Sequence, residues 1–274
     1  MTDVEIALVT CAALPALDPD DRLLAEALRR LGCAVTPCVW DDEAVAWSAF
    51  DLALVRSPWD YASRREAFVR WAERVGRATT LRNPPDVIAW NTDKRYLRAL
   101  AAAGVPTVPT AWLEASAPEP DLAALLVERG WREAVVKPAV GAGSSGLARV
   151  RDGDRDGAGA AALAALLATG DAMVQPFVAS VPAEGEVSLI YYDGVLSHAV
   201  RKRPAAGEFR VQPEFGATVT AETPTDAERA VAEAALATLA APPLYARVDL
   251  VAGDDGTPWL MELELVEPAL FFAA

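Results

Sequence analysis

The stretch AVVKPAVGAGSSGLARV, residues 134–150, decides the fold more than any other part of the sequence. An apolar run ends in Lys137, a loop of glycine, alanine and serine follows, and a second apolar run begins at Leu147. A phosphate-binding P-loop places its lysine after the glycines, at the start of a helix, and the dinucleotide-binding motif has a different glycine spacing. The stretch therefore predicts two strands joined by a glycine–serine loop that belongs to neither motif.

The composition is that of a folded protein with room for two or three packed units. Of the 274 residues, 53% are hydrophobic and 23% charged, and 39 acidic residues against 25 basic ones give a net charge of −14. Nucleic acids and anionic membranes bind clustered basic side chains, so we expect neither as a partner. The first residues lack the basic segment of a signal peptide, and no uncharged apolar run approaches the ~20 residues of a membrane span. We therefore expect a cytoplasmic protein.

Strands alternating with helices over residues 1–85 predict a small parallel α/β domain. In such a sheet the ligand lies beyond the carboxyl ends of the strands. The third predicted strand ends in RSPWDY, residues 56–61, which places Arg56, Trp59, Asp60 and Tyr61 at that edge. The sequence therefore predicts that this domain contributes to a binding site.

Two further units are expected after this domain. Residues 86–180 are predicted to form a lobe with a helix over residues 92–103 and the glycine–serine loop, and residues 181–274 a second lobe. Asp-Gly pairs between alternating apolar residues are typical of hairpin turns. The second lobe is therefore predicted to contain two hairpins, with turns at Asp193-Gly194 and Asp255-Gly256.

The last predicted hairpin concentrates carboxylates on one face. Side chains alternate along a strand, so Glu262 and Glu264 share a face, as do Arg247 and Asp249 on the partner strand. Three carboxylates on one face repel each other unless a cation or a proton offsets them. Oxygen ligands of this kind suit Mg²⁺, which commonly binds a few carboxylates together with substrate phosphates. The alternative is a solvated face of an acidic protein.

Three basic positions could accompany this cluster. Lys137 ends an apolar strand, where a lone ammonium is costly without an anion, and Lys94 lies near the start of its predicted helix. The segment HAVRKR, residues 198–203, supplies a third. Each basic position taken alone is equally typical of a solvated surface side chain. The glycine–serine loop taken alone is equally typical of a flexible turn. Together with the carboxylates, they favour binding of a magnesium nucleotide.

The order of these motifs resembles the ATP-grasp superfamily, as in D-alanine–D-alanine ligase and glutathione synthetase. The resemblance covers about residues 85–268, through Lys94, VVKPAVGAGSSG, VQPFV, GEVSL, ARVDL and MELEL. It implies a fold of the α/β and α+β classes, in which an N-terminal parallel α/β domain precedes a two-lobed ATP-grasp fold. It also implies ATP and Mg²⁺ as cofactors.

The resemblance assigns roles to individual positions. It implies that Lys94 and Lys137, with Lys202 as a further residue, contact the phosphates, and that a mobile loop over the phosphates comprises Gly141, Gly143, Ser144, Ser145 and Gly146. It implies an adenine-binding hinge at Gln175, Phe177 and Val178 and a ribose contact at Glu186. It also implies that the metal ligands are Asp249, Glu262 and Glu264, and that Arg247 stabilises the tetrahedral intermediate.

Two positions depart from the pattern that the family resemblance implies. Gln175 stands where the hinge commonly begins with glutamate, and the metal motif reads Glu-Leu-Glu instead of Glu-x-Asn. The first change keeps a hydrogen-bonding side chain without its charge. The second adds a carboxylate, which keeps a cation site and leaves the choice between Mg²⁺ and Mn²⁺ open.

The stretches RSPWDY, SHAVRKRPAAGEFRVQ and MELELVEPALFF are most similar to the subgroup with the cycloserine-forming O-ureidoserine cyclo-ligase. Such enzymes activate an amino-acid carboxylate through an acyl-phosphate, which an internal aminooxy nitrogen attacks. Arg210 is suggested as an oxyanion contact by its place in GEFRVQPEFG, a segment expected to be mobile, and other residues are suggested as substrate contacts by their positions. These are Arg56 for a carboxylate, Asp60 or Glu267 for an amino group, and His198 for a polar role. Caps, surface ion pairs, a solvated arginine and a structural histidine remain the alternatives.

The leading hypothesis is an ATP- and Mg²⁺-dependent carboxylate–amine ligase whose substrate is a small amino-acid-like carboxylate. Within it, the nitrogen nucleophile is either internal, giving a cyclo-ligase, or external, giving an amino-acid or peptide ligase. A non-catalytic adenine-nucleotide sensor is the alternative from another class, and homo-oligomers are compatible with each. The full set of phosphate cations and metal acids favours the enzyme.

Overall fold

The amino-terminal part of the chain folds around a parallel sheet. The computed structural model describes residues 4–117, 120–143, 145–152 and 157–273. The sheet has the order β2-β1-β3-β4, from strands β1 (Glu5–Thr10), β2 (Ala34–Val39), β3 (Leu52–Ser57) and β4 (Thr80–Arg82). Helices α1 (Pro19–Arg30) and α2 (Arg65–Ala78) connect the strands. The apolar run of β1 is buried almost throughout, as expected for a parallel strand covered on both faces.

The predicted helix over residues 92–103 is wrong at its start. The chain instead forms α3 (Pro85–Asn91) and α4 (Tyr96–Ala102), and Lys94 lies in the break between them. The Asp93 carboxylate accepts a hydrogen bond from the Arg95 backbone N–H, and the Lys94 N–H donates to the Ala139 carbonyl at 2.8 Å. These two bonds replace helical ones, so the side chain of Lys94 leaves the helix at a break instead of from a helix face.

The middle of the chain forms an antiparallel sheet that contains the glycine–serine loop. Its order is β5-β8-β6-β7. The elements are β5 (Ala111–Leu113), α5 (Leu122–Arg129), β6 (Ala134–Pro138), β7 (Ala148–Val150), α6 (Ala158–Leu167) and β8 (Ala172–Pro176). Strands β6 and β7 pair antiparallel on either side of the loop, which confirms the predicted strand–loop–strand unit.

The last part of the chain forms a larger antiparallel sheet of order β11-β10-β9-β12-β13. The elements are α7 (Ser180–Glu184), β9 (Glu186–Tyr192), β10 (Val195–Arg203), β11 (Thr218–Glu222), α8 (Asp226–Leu236), β12 (Tyr245–Ala252) and β13 (Pro258–Glu264). Both predicted hairpins are present. One face of the sheet packs apolar side chains against α4 and α8. The opposite face carries charged side chains at the cavity, among them Glu186, Lys202 and Asp249, and an apolar cluster that includes Ile190 and Val200.

Buried polar contacts tie this sheet to the amino-terminal one. The Tyr245 hydroxyl lies within 2.7 Å of the Val55 carbonyl and 3.1 Å of the Arg82 carbonyl. The Asn83 amide donates to the carbonyls of Tyr245 and Leu265. The mixed architecture, a parallel sheet followed by two antiparallel ones, agrees with the predicted fold class. No helix within the described ranges has the length and apolar character to span a bilayer.

Candidate active site

All three sheets contribute to one cavity of about 790 Å³. Tyr61 enters it from the loop after β3, Lys137 from the end of β6, and Gln175 from β8. The charged face of the β12–β13 hairpin, including Arg247, forms its floor. The cavity therefore lies where the carboxyl ends of the first sheet meet the two antiparallel sheets.

Strand register brings the three predicted carboxylates together. Asp249 lies opposite Glu262 and Arg247 opposite Glu264, with a bulge after Asp249. One oxygen of each of the three carboxylates lies within 4.8 Å of the others. Asp249 is 2% exposed, and the Ser188 hydroxyl donates to it at 2.5 Å. Three convergent hard oxygen donors, one of them held by a neighbouring hydroxyl, fit a divalent cation.

Neighbouring cations offset these carboxylates in the free protein. Arg247 donates to Asp249 at 2.9 Å and to Glu264 at 2.5 Å. Lys202 contacts Glu186 and lies 3.3 Å from Asp249. Burial opposes ionisation of Asp249, but Arg247 and Lys202 beside it lower its pKa to about 2. Burial instead raises the pKa of Glu264 to about 8 against the effect of Arg247.

Lys94 joins the carboxylate cluster to the glycine–serine loop. Its ammonium lies 2.7 Å from Glu262 and donates to the Gly141 carbonyl at 2.8 Å. Gly143 has a φ of 59°, a conformation that favours glycine. Gly141, Gly143 and Ser145 line the cavity.

Two predicted loop residues stand apart from this group. Gly146 is not among the lining residues, and a Cβ there would lie 3.1 Å from the Leu166 side chain. Ser144 lies outside the described residues. Four of the five predicted loop positions are therefore described, and three of these four line the cavity.

Lys137 differs from the other cations because no described carboxylate forms an ion pair with it. The residue is 9% exposed, and its ammonium lies 3.7 Å from the Met261 sulfur. Burial lowers the pKa of Lys137 to about 8, although Glu262 partly opposes this. A buried ammonium with so weak a partner is a position suited to a bound anion.

The end of the cavity near β8 is apolar. Phe177 and Val178 line it, with Phe209 packing against Phe177 at a ring distance of 5.9 Å. The Gln175 amide donates to the Thr110 hydroxyl at 2.9 Å. Arg149 stacks on the Phe177 ring at 3.5 Å. This lining suits a flat heteroaromatic ring.

The structure brings two of the remaining predicted residues to the cavity. Glu267 is 9% exposed, hydrogen-bonded to Tyr61, and burial raises its pKa to about 7. Arg210 lines the opening, where it pairs with Glu208 at 2.5 Å and stacks on Phe215.

The other three predicted substrate contacts, Arg56, Asp60 and His198, each have a partner outside the cavity. Arg56 is 2% exposed and pairs with Asp21 of α1 at 2.9 Å. Asp60 accepts from Trp40 and Arg64. The His198 ring faces the Leu270 carbonyl at 2.9 Å. None of the three lines the cavity, because each side chain is occupied by a partner on another element.

Tyr61 was expected at the edge of the first sheet, but only the fold reveals its bond to Glu267. Two lining or supporting residues were not predicted. Strand alternation from Glu186 could have placed Ser188 on the charged face. Asp20 lines the cavity, and among the described residues its Oδ2 is buried without a hydrogen-bond partner. Nothing in the sequence around the start of α1 indicates that Asp20 lies at the cavity.

Comparisons with known proteins agree with this architecture. Residues 6–83 match the family described as D-cycloserine synthetase DcsG, N-terminal domain, and residues 116–268 match the prokaryotic glutathione synthetase ATP-grasp domain. The cycloserine biosynthesis protein DcsG of Streptomyces lavendulae is 39% identical, over 97% of this chain and 92% of that protein.

Solved structures show the same relationships. The crystal structure of D-cycloserine synthetase DcsG superposes with a TM-score of 0.87 at 38% identity, covering 98% of this chain and 94% of that one. D-alanine–D-alanine ligase from Bacillus anthracis superposes with a TM-score of 0.68 at 14% identity, covering 96% and 87%. The second likeness concerns the fold alone.

Proposed function

This chain belongs to the ATP-grasp family that includes D-cycloserine synthetase DcsG, and we propose that it closes a ring within an O-ureidoserine-like amino acid. It is an ATP-grasp ligase, which joins carbon to nitrogen with release of ADP. The observation that carries the proposal is the juxtaposition, in one cavity, of the three-carboxylate cluster and Lys137, whose ammonium has no ion pair among the described residues. The identity to DcsG along the chain supports the choice of substrate.

The nucleotide is proposed to lie with its base at the apolar end, between Phe177, Val178 and Met261. Gln175 and the adjoining backbone would hold the adenine edge, and Glu186 would accept from the ribose. Lys94, Lys137 and Lys202 would bind the phosphates, which would give the Lys137 ammonium a stronger partner than the Met261 sulfur. Gly141, Gly143 and Ser145 would cover the phosphates and exclude water.

Asp249, Glu262 and Glu264 are proposed to hold the divalent cation, and their all-oxygen donor set suits Mg²⁺ as well as Mn²⁺. We propose Mg²⁺, the usual partner of nucleotide phosphates. A bound Mg²⁺ would neutralise phosphate oxygens and polarise the phosphoryl group that is transferred. Arg247 and Lys202, which now pair with these acids, would then be available to substrate oxygens.

The amino acid is proposed to bind between Glu267, Tyr61 and Arg247. Glu267 would accept from the substrate ammonium, and Arg247 would stabilise the oxyanion formed at the acyl carbon. The substrate carboxylate takes the γ-phosphoryl group of ATP, and ADP leaves. The internal nitrogen bonded to the side-chain oxygen then attacks the acyl carbon, phosphate departs, and this nitrogen loses its proton to solvent as the ring closes. Addition of water then releases the carbamoyl group as carbon dioxide and ammonia. We propose that this occurs in the cytoplasm, where ATP is available.

The test is ADP release from Mg-ATP with each enantiomer of O-ureidoserine as sole co-substrate. A panel of amino acids, with and without a second amine, is run in parallel, and Asp249→Asn serves as the inactive control. Release with O-ureidoserine alone supports ring closure. Release only when acid and amine are both present replaces it with an intermolecular ligase. Tight ATP binding without any release favours a nucleotide sensor instead.

A further inference from the structure

The segment after β13, residues 266–272, is held by side chains instead of by a strand or helix; we name it the strap. Four consecutive strap carbonyls each accept a hydrogen bond from a different side chain. The pairs are Trp59 to Glu267 at 3.1 Å, Arg56 to Pro268 at 2.7 Å, Arg247 to Ala269 at 3.3 Å, and His198 to Leu270 at 2.9 Å. The Tyr245 hydroxyl lies 3.1 Å from the Val266 carbonyl, but the Val55 carbonyl, at 2.7 Å, is nearer to its single proton.

The donors come from both sides of the cavity. Arg56 and Trp59 belong to the amino-terminal sheet and its following loop, whereas His198 and Arg247 belong to the last sheet. At the far end of the strap, the Phe272 backbone N–H hydrogen-bonds to Asp20. Buried backbone groups require partners, and here side chains supply them where a regular ladder would otherwise do so. The path of the strap therefore depends on these few side chains.

Alternate strap residues face opposite directions. Glu267, Ala269 and Phe271 line the cavity. Phe271 lies 5.9 Å from the Arg247 guanidinium, at the site proposed for the reacting carboxylate. Leu270 does not line the cavity and is buried in the cluster around Val200, against which Phe271 also packs. A shift of the strap would move the Glu267 carboxylate and the Phe271 ring together, and these two groups form one wall of the proposed substrate site.

We propose that His198 is a positioning residue for the amino-acid substrate and acts through the Leu270 carbonyl. It does not line the cavity, and its bond lies next to Phe271. Arg56 is deeply buried, Arg247 lies in the reaction site and Trp59 itself lines the cavity, whereas His198 is half-buried and lies outside the cavity. Its removal therefore leaves the fold while releasing one end of the strap. This inference rests on the proposed function and names a determinant of its substrate affinity.

The experiment compares His198→Ala with His198→Gln, whose amide nitrogen can replace the donor. The matched control is Arg29→Ala, which removes another side-chain bond to a carbonyl, from Arg29 to Val35 at 2.8 Å, far from the cavity. Initial rates of ADP release are measured while O-ureidoserine and ATP are varied separately. Thermal unfolding of each variant is recorded alongside.

For His198→Ala we expect the KM for O-ureidoserine to rise about three- to tenfold, the size of one lost hydrogen bond. The KM for ATP and the unfolding temperature should match those of Arg29→Ala and the wild type, and His198→Gln should restore the substrate KM. An unchanged substrate KM in His198→Ala overturns the inference, as does an equal rise in both KM values without rescue by glutamine. If the wild type releases no ADP with any substrate, the proposed function fails, and this inference fails with it.

Discussion

At the scale of a single residue, Lys137 is a buried ammonium whose charge is poorly compensated by the described side chains around it. The other cations of the cavity each contact a carboxylate, whereas the described neighbour of the Lys137 ammonium is the Met261 sulfur. A thioether is a weak acceptor and offsets little of the desolvation cost. The pKa of Lys137 is lowered to about 8 by burial for this reason.

This lowered pKa predicts a pH dependence of nucleotide binding. Below pH 8 the ammonium is already protonated; above it, binding must also take up a proton. We therefore expect affinity for ADP to fall as pH rises through about 8, by up to about tenfold per pH unit. Calorimetric titrations between about pH 7 and about pH 9 measure this slope.

Lys137→Arg is the control, because arginine stays charged over this range. The part of the slope that belongs to Lys137 should be absent from this variant, while contributions from other groups remain. Identical slopes in the two proteins would contradict the assignment.

At the scale of elements, Gly185 sets how β9 begins beside β10. It has a φ of 92°, and a Cβ at this position would overlap the Lys202 carbonyl oxygen. The next residue, Glu186, lies opposite Lys202 in the register and forms an ion pair with it. Close approach of two backbones, which only glycine permits, thus places a charged pair at the cavity.

Gly185→Ala should therefore lower the free energy of unfolding by more than the strain of a positive φ alone would. Gly130→Ala provides the comparison, since Gly130 also has a positive φ, of 68°, but has open space around it. We expect Gly130→Ala to lose about 1–2 kcal/mol in urea denaturation, and Gly185→Ala to lose more and also to weaken ADP binding. Equal losses in the two variants, with ADP affinity unchanged, would show that the overlap has no effect.

At the scale of the whole molecule, the cavity exists because the amino-terminal sheet is fastened to the last one. Asn83 and Tyr245 make part of this connection through buried bonds to backbone carbonyls. Arg56 makes another: it pairs with Asp21 in the first domain and donates to Pro268 of the strap. The same guanidinium lies 5.1 Å from the Tyr245 ring.

The Arg56–Asp21 pair predicts a non-additive double variant. Arg56→Met alone leaves Asp21 buried without its counter-charge, so we expect a loss of about 3–5 kcal/mol. Asp21→Leu combined with Arg56→Met removes both charges and should lose less than the single arginine variant. Chemical denaturation of the four proteins measures this cycle. A double variant less stable than Arg56→Met would contradict the explanation.

Features that depend on near neighbours in the chain were predictable. Both Asp-Gly turns, the loop between β6 and β7, and the shared face of Asp249, Glu262 and Glu264 follow from turn chemistry and from the alternation of side chains along a strand. These rules act over a few residues. The sequence by itself therefore determined the hairpins, the loop and the carboxylate face, and the order of its motifs indicated the family.

The tertiary structure decided the rest, since each missed feature involves a partner far along the chain. The helix breaks at Lys94 because its N–H bonds to Ala139. Arg56, Asp60 and His198 were expected to touch substrate, but their side chains turn to partners on other elements, respectively Asp21, Trp40 and the Leu270 carbonyl. Local sequence patterns determine which face of an element a residue occupies. The direction of a long polar side chain depends instead on the buried hydrogen-bonding groups of other elements that lie within its reach in the packed structure.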